Sequence, residues 1–153
     1  SFVVNCFNNY TIFRACLIYG PGVKLNDERV LNQVILRAIK NKKIDIYGGL
    51  KQLRSNLFIS DAINMMVKIT AKSKNQIFNL NNHKMITLGK IFSMIGKISN
   101  KKVVNRGSKM IGSPKVIRIS NRKILKTINY KISVDIKEGL LRTIEWYKYL
   151  ILV

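Results

Sequence analysis

The stretch IDIYGGLKQLRSNLFISD, residues 44–61, decides how the rest of the chain is interpreted. Its β-branched start runs into Gly48-Gly49, which indicates a strand followed by a tight turn. Arg54 stands before a second apolar run, and Ser60-Asp61 then supplies two helix N-cap residue types. An arginine at a strand edge beside a glycine turn is suited to bind a phosphate or carboxylate through two parallel hydrogen bonds. A surface hairpin with a solvated arginine is the alternative, and this stretch alone favours it.

The composition bounds the fold class and the kinds of partner. With 153 residues, of which 47% are hydrophobic, the chain is long enough for one domain with a buried core, and disorder is not expected. The net charge of +21 would ordinarily indicate nucleic acid or an anionic surface. However, the lysines are spread over nearly every segment, and the longest basic runs are pairs such as Lys42-Lys43. We therefore expect incidental basicity without specific nucleic-acid binding, and keep a basic nucleic-acid-binding module as an alternative.

The sequence lacks the residue patterns that characterise disulfide-linked, metal-binding and membrane-spanning proteins. Cys6 and Cys16 lie ten positions apart without a C-x-x-C motif, and His83 has no cysteine or carboxylate cluster near it. Neither a disulfide framework nor a metal site is therefore expected. No apolar run reaches membrane-spanning length, and no signal peptide is visible, so we expect a cytoplasmic protein without membrane contact. The chain starts at Ser1 in apolar sequence and is expected to be a piece of something longer.

The remaining segments alternate between strand and helix patterns, which predicts a mixed α/β fold. Residues 11–18 form an apolar run of strand length, expected to be covered on both faces, that stops at Tyr19-Gly20-Pro21-Gly22. Ligands bind at the carboxyl ends of strands in α/β sheets, so this loop is a candidate ligand wall, with a plain turn as the alternative. Thr87 is predicted to cap a helix, and Asp135-x-x-Glu138 has capping-box spacing. Helices are predicted from Val30 to near Asn41 and over 62–72, 87–98, 124–128 and 140–147, and short strands over 76–80 and 102–105.

Two longer motifs carry a resemblance to a known family. Arg14 followed by Tyr19-Gly20-Pro21-Gly22 is similar to the pattern R-x-x-N-x-Y-G-P-G, and residues 47–61 are similar to Y-G-D-G-K-Q-T-R-D-F-x-Y-V-x-D. Residues 78–80 and 136–147 resemble the elements that close the same family's sequences, in the same order. The chain thus resembles the C-terminal half of the extended short-chain dehydrogenase/reductases, the NAD-dependent epimerase/dehydratase group that acts on nucleotide sugars.

The resemblance implies an α/β fold made of the last strands of a Rossmann-type sheet and a small α/β substrate-binding domain. It implies a single unit, 1–153, in which 1–28 end the Rossmann core and 29–153 are mostly substrate-binding subdomain, with some segments returning to the core. The family's N-terminal NAD-binding half, with its G-x-x-G-x-x-G loop and its helical Y-x-x-x-K pair, is not in this sequence. The spacing from Tyr47 to Lys51 is coincidental, because it crosses a double glycine that is incompatible with a helix.

The resemblance also implies which residues form the site. Arg54 matches the family's arginine for the nucleotide diphosphate, and the segment from Arg29 to Asn32 matches the one beside the base. The residues expected to bind substrate are Arg54, Arg106, Val30, Leu31, Asn32 and Tyr47. Ala15 and Cys16 are expected to face the nicotinamide of NAD, and Asp61 is expected to be a helix cap rather than a ligand. No catalytic residue and no metal ligand is expected in the chain.

Some positions depart from the family pattern. Leu17 replaces the family's substrate-binding asparagine, so that a side-chain donor is lost, and Ser55-Asn56 replaces D-F. Arg106 lies in R-G-S-K instead of the usual R-P-G-D, whereas residues 109–114 resemble the K-P-x-G-x-P loop of some members.

The expected function is the substrate-binding portion of a nucleotide-sugar epimerase, dehydratase or decarboxylase, inactive by itself. The complete enzyme would use NAD, bind a nucleotide-diphosphate sugar, act as a homodimer and serve carbohydrate metabolism such as cell-surface polysaccharide biosynthesis. An inactive remnant is the other alternative.

Overall fold

Short strands and helices alternate along the chain, as the sequence predicts. The computed structural model describes residues 2–107 and 114–152, and these contain eight strands and six helices. The helices are α1 Phe2–Cys6, α2 Val30–Lys40, α3 Ile59–Thr70, α4 Leu88–Ile98, α5 Arg122–Ile128 and α6 Ile136–Leu152. The strands are β1 Thr11–Ala15, β2 Leu17–Tyr19, β3 Lys43–Ile46, β4 Leu53–Arg54, β5 Asn56–Phe58, β6 Gln76–Leu80, β7 Ile86–Thr87 and β8 Lys102–Asn105.

The strands associate in pairs. Three pairs are parallel, β1 with β6, β2 with β5 and β3 with β8, and the pair of β4 with β7 is antiparallel. Parallel neighbours need long crossover connections, and here these contain the helices. The predicted mixed α/β class is confirmed.

The predicted strand over 11–18 is divided in two. The amide of Cys16 donates to the Leu80 carbonyl at 3.0 Å, which ends the pairing of β1 with β6. The chain then changes partner, and β2 pairs with β5 instead. The expectation that this run is covered on both faces is also wrong, because Arg14 and Ala15 at the end of β1 are exposed.

The turn in the opening stretch forms where the glycine pair predicts it. Gly48 and Gly49 both have φ of 72°, a left-handed backbone that residues with a Cβ avoid. The strands on either side do not pair with each other, however, since β3 pairs with β8 and β4 with β7. The surface hairpin considered as an alternative is therefore wrong.

Helix caps agree with the sequence at two of three places. Thr87 Oγ1 accepts from the Lys90 amide at 3.3 Å and caps α4. Asp135 Oδ1 accepts from the amides of Lys137 and Glu138 at 2.8 and 3.0 Å, which caps α6. The Glu138 carboxylate pairs with Arg142 at 2.8 Å.

Asp61 is not a cap, and that prediction is wrong. Helix α3 begins at Ile59, and Asp61 lies fully buried in its first turn. Its carboxylate accepts hydrogen bonds from Tyr130 Oη at 2.7 Å, Ser133 N at 2.9 Å, Ser133 Oγ at 2.6 Å and Val134 N at 3.0 Å. Burial acts to raise its pKa, but these hydrogen bonds outweigh burial and lower it. Asp61 therefore anchors the segment before α6 onto α3.

The buried apolar side chains form two clusters. One joins α2, β3, α4 and α6, with Ile35, Ile44, Phe92 and Tyr147 among its most buried members. The other joins α3, β6 and α5 around Met65. The cavity described next lies where β2 and β5 meet the start of α2.

Candidate functional site

A cavity of about 330 Å³ lies between β2, the start of α2 and the segment around β4. Its lining combines apolar side chains from β2 and α4 with charged and amide groups. The lining residues are Leu17, Ile18, Tyr19, Glu28, Arg29, Val30, Leu31, Asn32, Gln52, Arg54, Asn56, Leu88 and Ile91. Four of the six residues predicted to bind substrate, Arg54, Val30, Leu31 and Asn32, thus border one cavity.

Arg54 is the buried cation of this cavity. Only 7% of the residue is exposed, although arginine is seldom buried to this extent. Its Nη2 donates to Gln52 Oε1 at 2.7 Å and its Nη1 to the Leu53 carbonyl at 2.9 Å. Strand β4 holds it through the register pair Arg54 with Ile86 on β7. Both of these acceptors are neutral groups that orient the guanidinium.

The wall formed by the start of α2 is held by Asp27, which the sequence reasoning missed. Its carboxylate accepts from Arg29 Nε at 2.9 Å, Arg29 Nη2 at 2.8 Å and Asn32 Nδ2 at 2.7 Å. The hydrogen bond from the Arg29 side chain is the main reason why the pKa of Asp27 is well below its usual range. Arg29 Nη1 also donates to the Ile18 carbonyl at 3.0 Å. These contacts tie the first turn of α2 to β2.

Two amide side chains on the cavity wall have a buried polar atom without a partner. Among the described residues, Asn32 Oδ1 and Asn56 Nδ2 make no hydrogen bond. Only 2% of Asn32 and 6% of Asn56 are exposed. Buried polar groups in proteins nearly always have partners, so such atoms call for an explanation.

Tyr47 borders a second, adjoining cavity of about 250 Å³. The two cavities share Glu28, Val30 and Leu88 in their linings. The Tyr47 side chain is largely accessible, since 56% of the residue is exposed. Tyr47 therefore lies beside the first cavity rather than in its wall.

Arg106 is not brought to either of these two cavities. It follows β8, where its Nε lies 3.0 Å from Asp45 Oδ1 and its amide donates to the Ile46 carbonyl at 2.8 Å. Its role as a second diphosphate ligand stays a prediction. Residues 109–114 form the loop that resembles K-P-x-G-x-P, and of these 109–113 lie outside the described residues.

Ala15 and Cys16 lie at the carboxyl end of β1, beside the carboxyl end of its parallel neighbour β6. This is the edge where open α/β sheets bind ligands. Leu17, the next residue, lines the first cavity. The predicted nicotinamide-facing residues thus stand next to the cavity without being part of its lining.

Some lining residues were not predicted. Gln52 belongs to the Lys51-Gln52 pair of the matched motif, and this signal could have indicated it. Leu88 and Ile91 come from α4, about thirty-five residues beyond Arg54 in the sequence, and only packing brings them to the site.

Parallel strand pairs with helical crossovers, and a cavity with apolar and polar walls beside their carboxyl ends, are typical of a Rossmann-type α/β protein. The model of the NAD dependent epimerase/dehydratase family matches residues 6–80. The family resemblance that the motifs predict is confirmed by this match and by the relatives described next.

The curated relatives of this chain are named for several related activities. UDP-glucuronic acid decarboxylase 1 of Xenopus tropicalis is 23% identical over 133 residues, which cover 85% of this chain and 31% of the relative. dTDP-glucose 4,6-dehydratase 1 of Escherichia coli is 23% identical over 157 residues, covering 96% of this chain and 40% of the relative.

Solved structures show the same architecture. UDP-glucose 4-epimerase from Thermotoga maritima, solved with UDP-glucose, superposes with a TM-score of 0.84 at 20% identity. The match covers 98% of this chain and 50% of that one. UDP-glucuronic acid 4-epimerase from Bacillus cereus, solved with UDP-glucuronic acid and NAD, gives 0.79 at 25% identity, covering 92% and 45%. The chain therefore spans between about a third and a half of these relatives.

The described residues contain neither a membrane-spanning helix nor a metal-binding group of side chains. No helix among them is both long enough and apolar enough to span a bilayer. Within residues 2–107 and 114–152, no group of three or more His, Cys, Asp or Glu side chains is arranged to hold a metal ion.

Proposed function

We propose that this chain is the substrate-binding portion of a nucleotide-sugar epimerase, dehydratase or decarboxylase, and that Arg54 binds the diphosphate of the substrate. The observation that carries the proposal is a nearly buried guanidinium on the wall of a 330 Å³ cavity at the sheet edge. The relatives named above support the substrate class, because all of their names contain a nucleoside-diphosphate sugar.

The chemistry of Arg54 suits a diphosphate. A guanidinium offers several donors in a planar fork, and it binds phosphate oxygens through short, charge-assisted hydrogen bonds. Such bonds are stronger in a site that excludes water, because the local dielectric constant is low. The guanidinium is held by Gln52 Oε1 and the Leu53 carbonyl at 2.7 and 2.9 Å, so little side-chain freedom remains to be lost when an anion binds.

The base would lie on the other side of the diphosphate. Val30 and Leu31 are in the first turn of α2, where backbone N–H groups have no partner within the helix and can donate to base carbonyls. Tyr47, in the adjoining cavity, has an accessible ring on which a base can stack. The Asp27–Arg29 pair keeps this turn in place. Arg106 would have to leave Asp45 to reach a phosphate, so we assign it a secondary role.

NAD would be held mainly outside these 153 residues. Ala15 and Cys16 are the predicted nicotinamide neighbours, and the sequence contains neither a G-x-x-G-x-x-G loop nor a helical Y-x-x-x-K pair. The residues present do not fit NAD binding by the chain alone, and no hydride or proton step is assigned to them. In the complete enzyme, bound NAD would supply hydride-transfer chemistry. The chain by itself is expected to bind substrate without turnover.

Further parts of the proposal concern the complete protein. We expect residues 1–28 to end the Rossmann core and 29–153 to be mostly substrate-binding subdomain. The packing of α3 and β6 in the second apolar cluster supports the return of some segments to the core. We also expect a cytoplasmic homodimer that supplies sugars for cell-surface polysaccharides.

Calorimetric titration tests the proposal directly. Wild type should bind UDP, and Arg54→Ala should weaken this binding at least roughly ten-fold, since one charge-assisted contact is lost. Arg142→Ala is the matched control, because Arg142 is an exposed arginine paired with Glu138 on α6, outside the cavity lining. Equal affinity of wild type and Arg54→Ala for UDP, or no binding of UDP, dTDP or GDP by folded wild type, would refute the proposal.

A further inference from the structure

Asn56 is a buried cavity residue with an unpartnered hydrogen-bond donor. It stands in β5 at a position where the matched motif has an aromatic residue, and it borders both the 330 Å³ cavity and a neighbouring one of about 490 Å³. Its side chain is almost fully buried, and its Nδ2 has no hydrogen-bond acceptor among the described residues. Its backbone carbonyl, by contrast, accepts from Asn82 Nδ2 at 3.2 Å. The backbone carbonyl is thus satisfied, and the side-chain donor is not.

The register of β2 and β5 explains where this donor stands. The parallel pair aligns Leu17 directly with Asn56. Residues that are level on adjacent strands project from the same face of a sheet, and both of these border the same cavity. Leu17 is 38% exposed and has no polar atom in its side chain. At this level of the β2–β5 pair, the side-chain donor is therefore Asn56 on β5, and position 17 on β2 has none.

The neighbours of Asn56 indicate which part of the ligand it meets. Arg54 lies two residues earlier on the same stretch, so the two positions are separated by about 6.6 Å of extended chain. On the other strand, Leu17 follows Cys16 and Ala15 at the carboxyl end of β1. Asn56 thus stands on the side of the proposed diphosphate site that faces the sheet end, where the sugar of a nucleotide sugar would point.

We propose that Asn56 is a specificity residue that donates a hydrogen bond from Nδ2 to the sugar portion of a nucleoside-diphosphate sugar, in place of a donor at position 17. This inference rests on the proposed function. Asn32 complements it, because its Oδ1 is an unpartnered acceptor on the same cavity wall. A sugar hydroxyl can accept from one amide and donate to another. The fully ionised diphosphate of a nucleotide sugar has no O–H and can only accept.

The experiment compares UDP with UDP-glucose by calorimetry on the full chain. Asn56→Leu should weaken binding of UDP-glucose roughly ten-fold or more, with UDP affinity nearly unchanged, because only the sugar loses its donor. The double variant Leu17→Asn/Asn56→Leu should recover much of the loss, since it places an amide on the paired position. Asn79→Ala is the matched control, because Asn79 bonds the Ser120 carbonyl and is not part of the cavity lining.

The outcomes separate the two proposals. If wild type binds UDP through Arg54, but Asn56→Leu leaves the ratio of UDP-glucose to UDP affinity unchanged, the role of Asn56 is wrong and the diphosphate site stands. If folded wild type binds neither ligand, both proposals fail. Asn56→Ala, which removes the donor without adding a charge, replaces Asn56→Leu if thermal unfolding shows that the leucine variant does not fold, and the same loss is expected.

Discussion

Replacing Asp61 by asparagine should destabilise the fold more than any change to an exposed carboxylate. Asp61 is completely buried and accepts four hydrogen bonds from Tyr130, Ser133 and Val134. An asparagine side chain has nearly the same volume as the aspartate, so no cavity term arises. The change removes the charge and places an NH₂ group opposite a backbone donor.

The expected loss can be estimated from these contacts. A hydrogen bond to a charged group contributes about 1.5–3 kcal/mol, and an unmatched buried donor costs about 1–3 kcal/mol. The four contacts share one carboxylate and are not additive, so we expect Asp61→Asn to lower the free energy of unfolding by about 2–3 kcal/mol. The measurement is urea unfolding followed by circular dichroism at neutral pH.

The pH dependence gives a second, independent readout. The pKa of Asp61 is lowered in the folded state, below its ordinary value of 3.8. The carboxylate therefore contributes stability that is fully present above about pH 4 and is lost as the pH falls through the folded-state pKa. The stability difference between wild type and Asp61→Asn should narrow in acid.

Glu138→Gln is the control for this prediction. Glu138 is paired with Arg142 at 2.8 Å on the exposed face of α6, and its loss should cost no more than about 0.5 kcal/mol. If Asp61→Asn costs no more than Glu138→Gln, or if the difference from wild type stays constant in acid, the anchoring role of Asp61 is wrong.

Two further predictions concern packing and capping. Gly139→Ala should destabilise the fold by about 1–3 kcal/mol, because a Cβ there would overlap the Tyr19 hydroxyl and lie 2.8 Å from Phe58 Cδ2; denaturant unfolding would measure this, and a neutral result would contradict the close approach of α6. Thr87→Ala should cost about 1 kcal/mol through loss of the cap on the Lys90 amide. Thr87→Ser, which keeps the acceptor, should retain most of the stability in the same assay, and equal losses for both variants would contradict the capping role.

Much of the local structure could be predicted from short-range patterns. The turn at Gly48-Gly49 was predictable because glycine readily adopts a left-handed backbone that other residues avoid. The cap at Thr87 was predictable because its hydroxyl can accept from the backbone amide three residues later, that of Lys90. These signals lie within a few residues of their effects. The family was also recognisable, because motifs such as residues 47–61 keep their order and spacing.

Asp61 shows where such reasoning reaches its limit. Two N-cap residue types in a row at a helix start are a valid local signal, yet the carboxylate bonds to groups 69–73 residues later in the chain. Tertiary hydrogen bonds prevailed over the local cap because they satisfy a buried charge more completely than one backbone amide could. The sequence around position 61 therefore contains no local pattern that predicts Tyr130, Ser133 and Val134 as its hydrogen-bond partners.

The site divides in the same way. By itself, the sequence indicated the alternation of strands and helices, the glycine turn and the family, and it nominated Arg54 as a candidate ligand of the diphosphate, since all of these depend on dihedral preferences or on local motifs. Only the tertiary structure decided that Arg54 is buried, that Arg106 pairs with Asp45, and that Asn56 stands level with Leu17. These facts depend on strand register and packing between distant segments, and no local pattern encodes them.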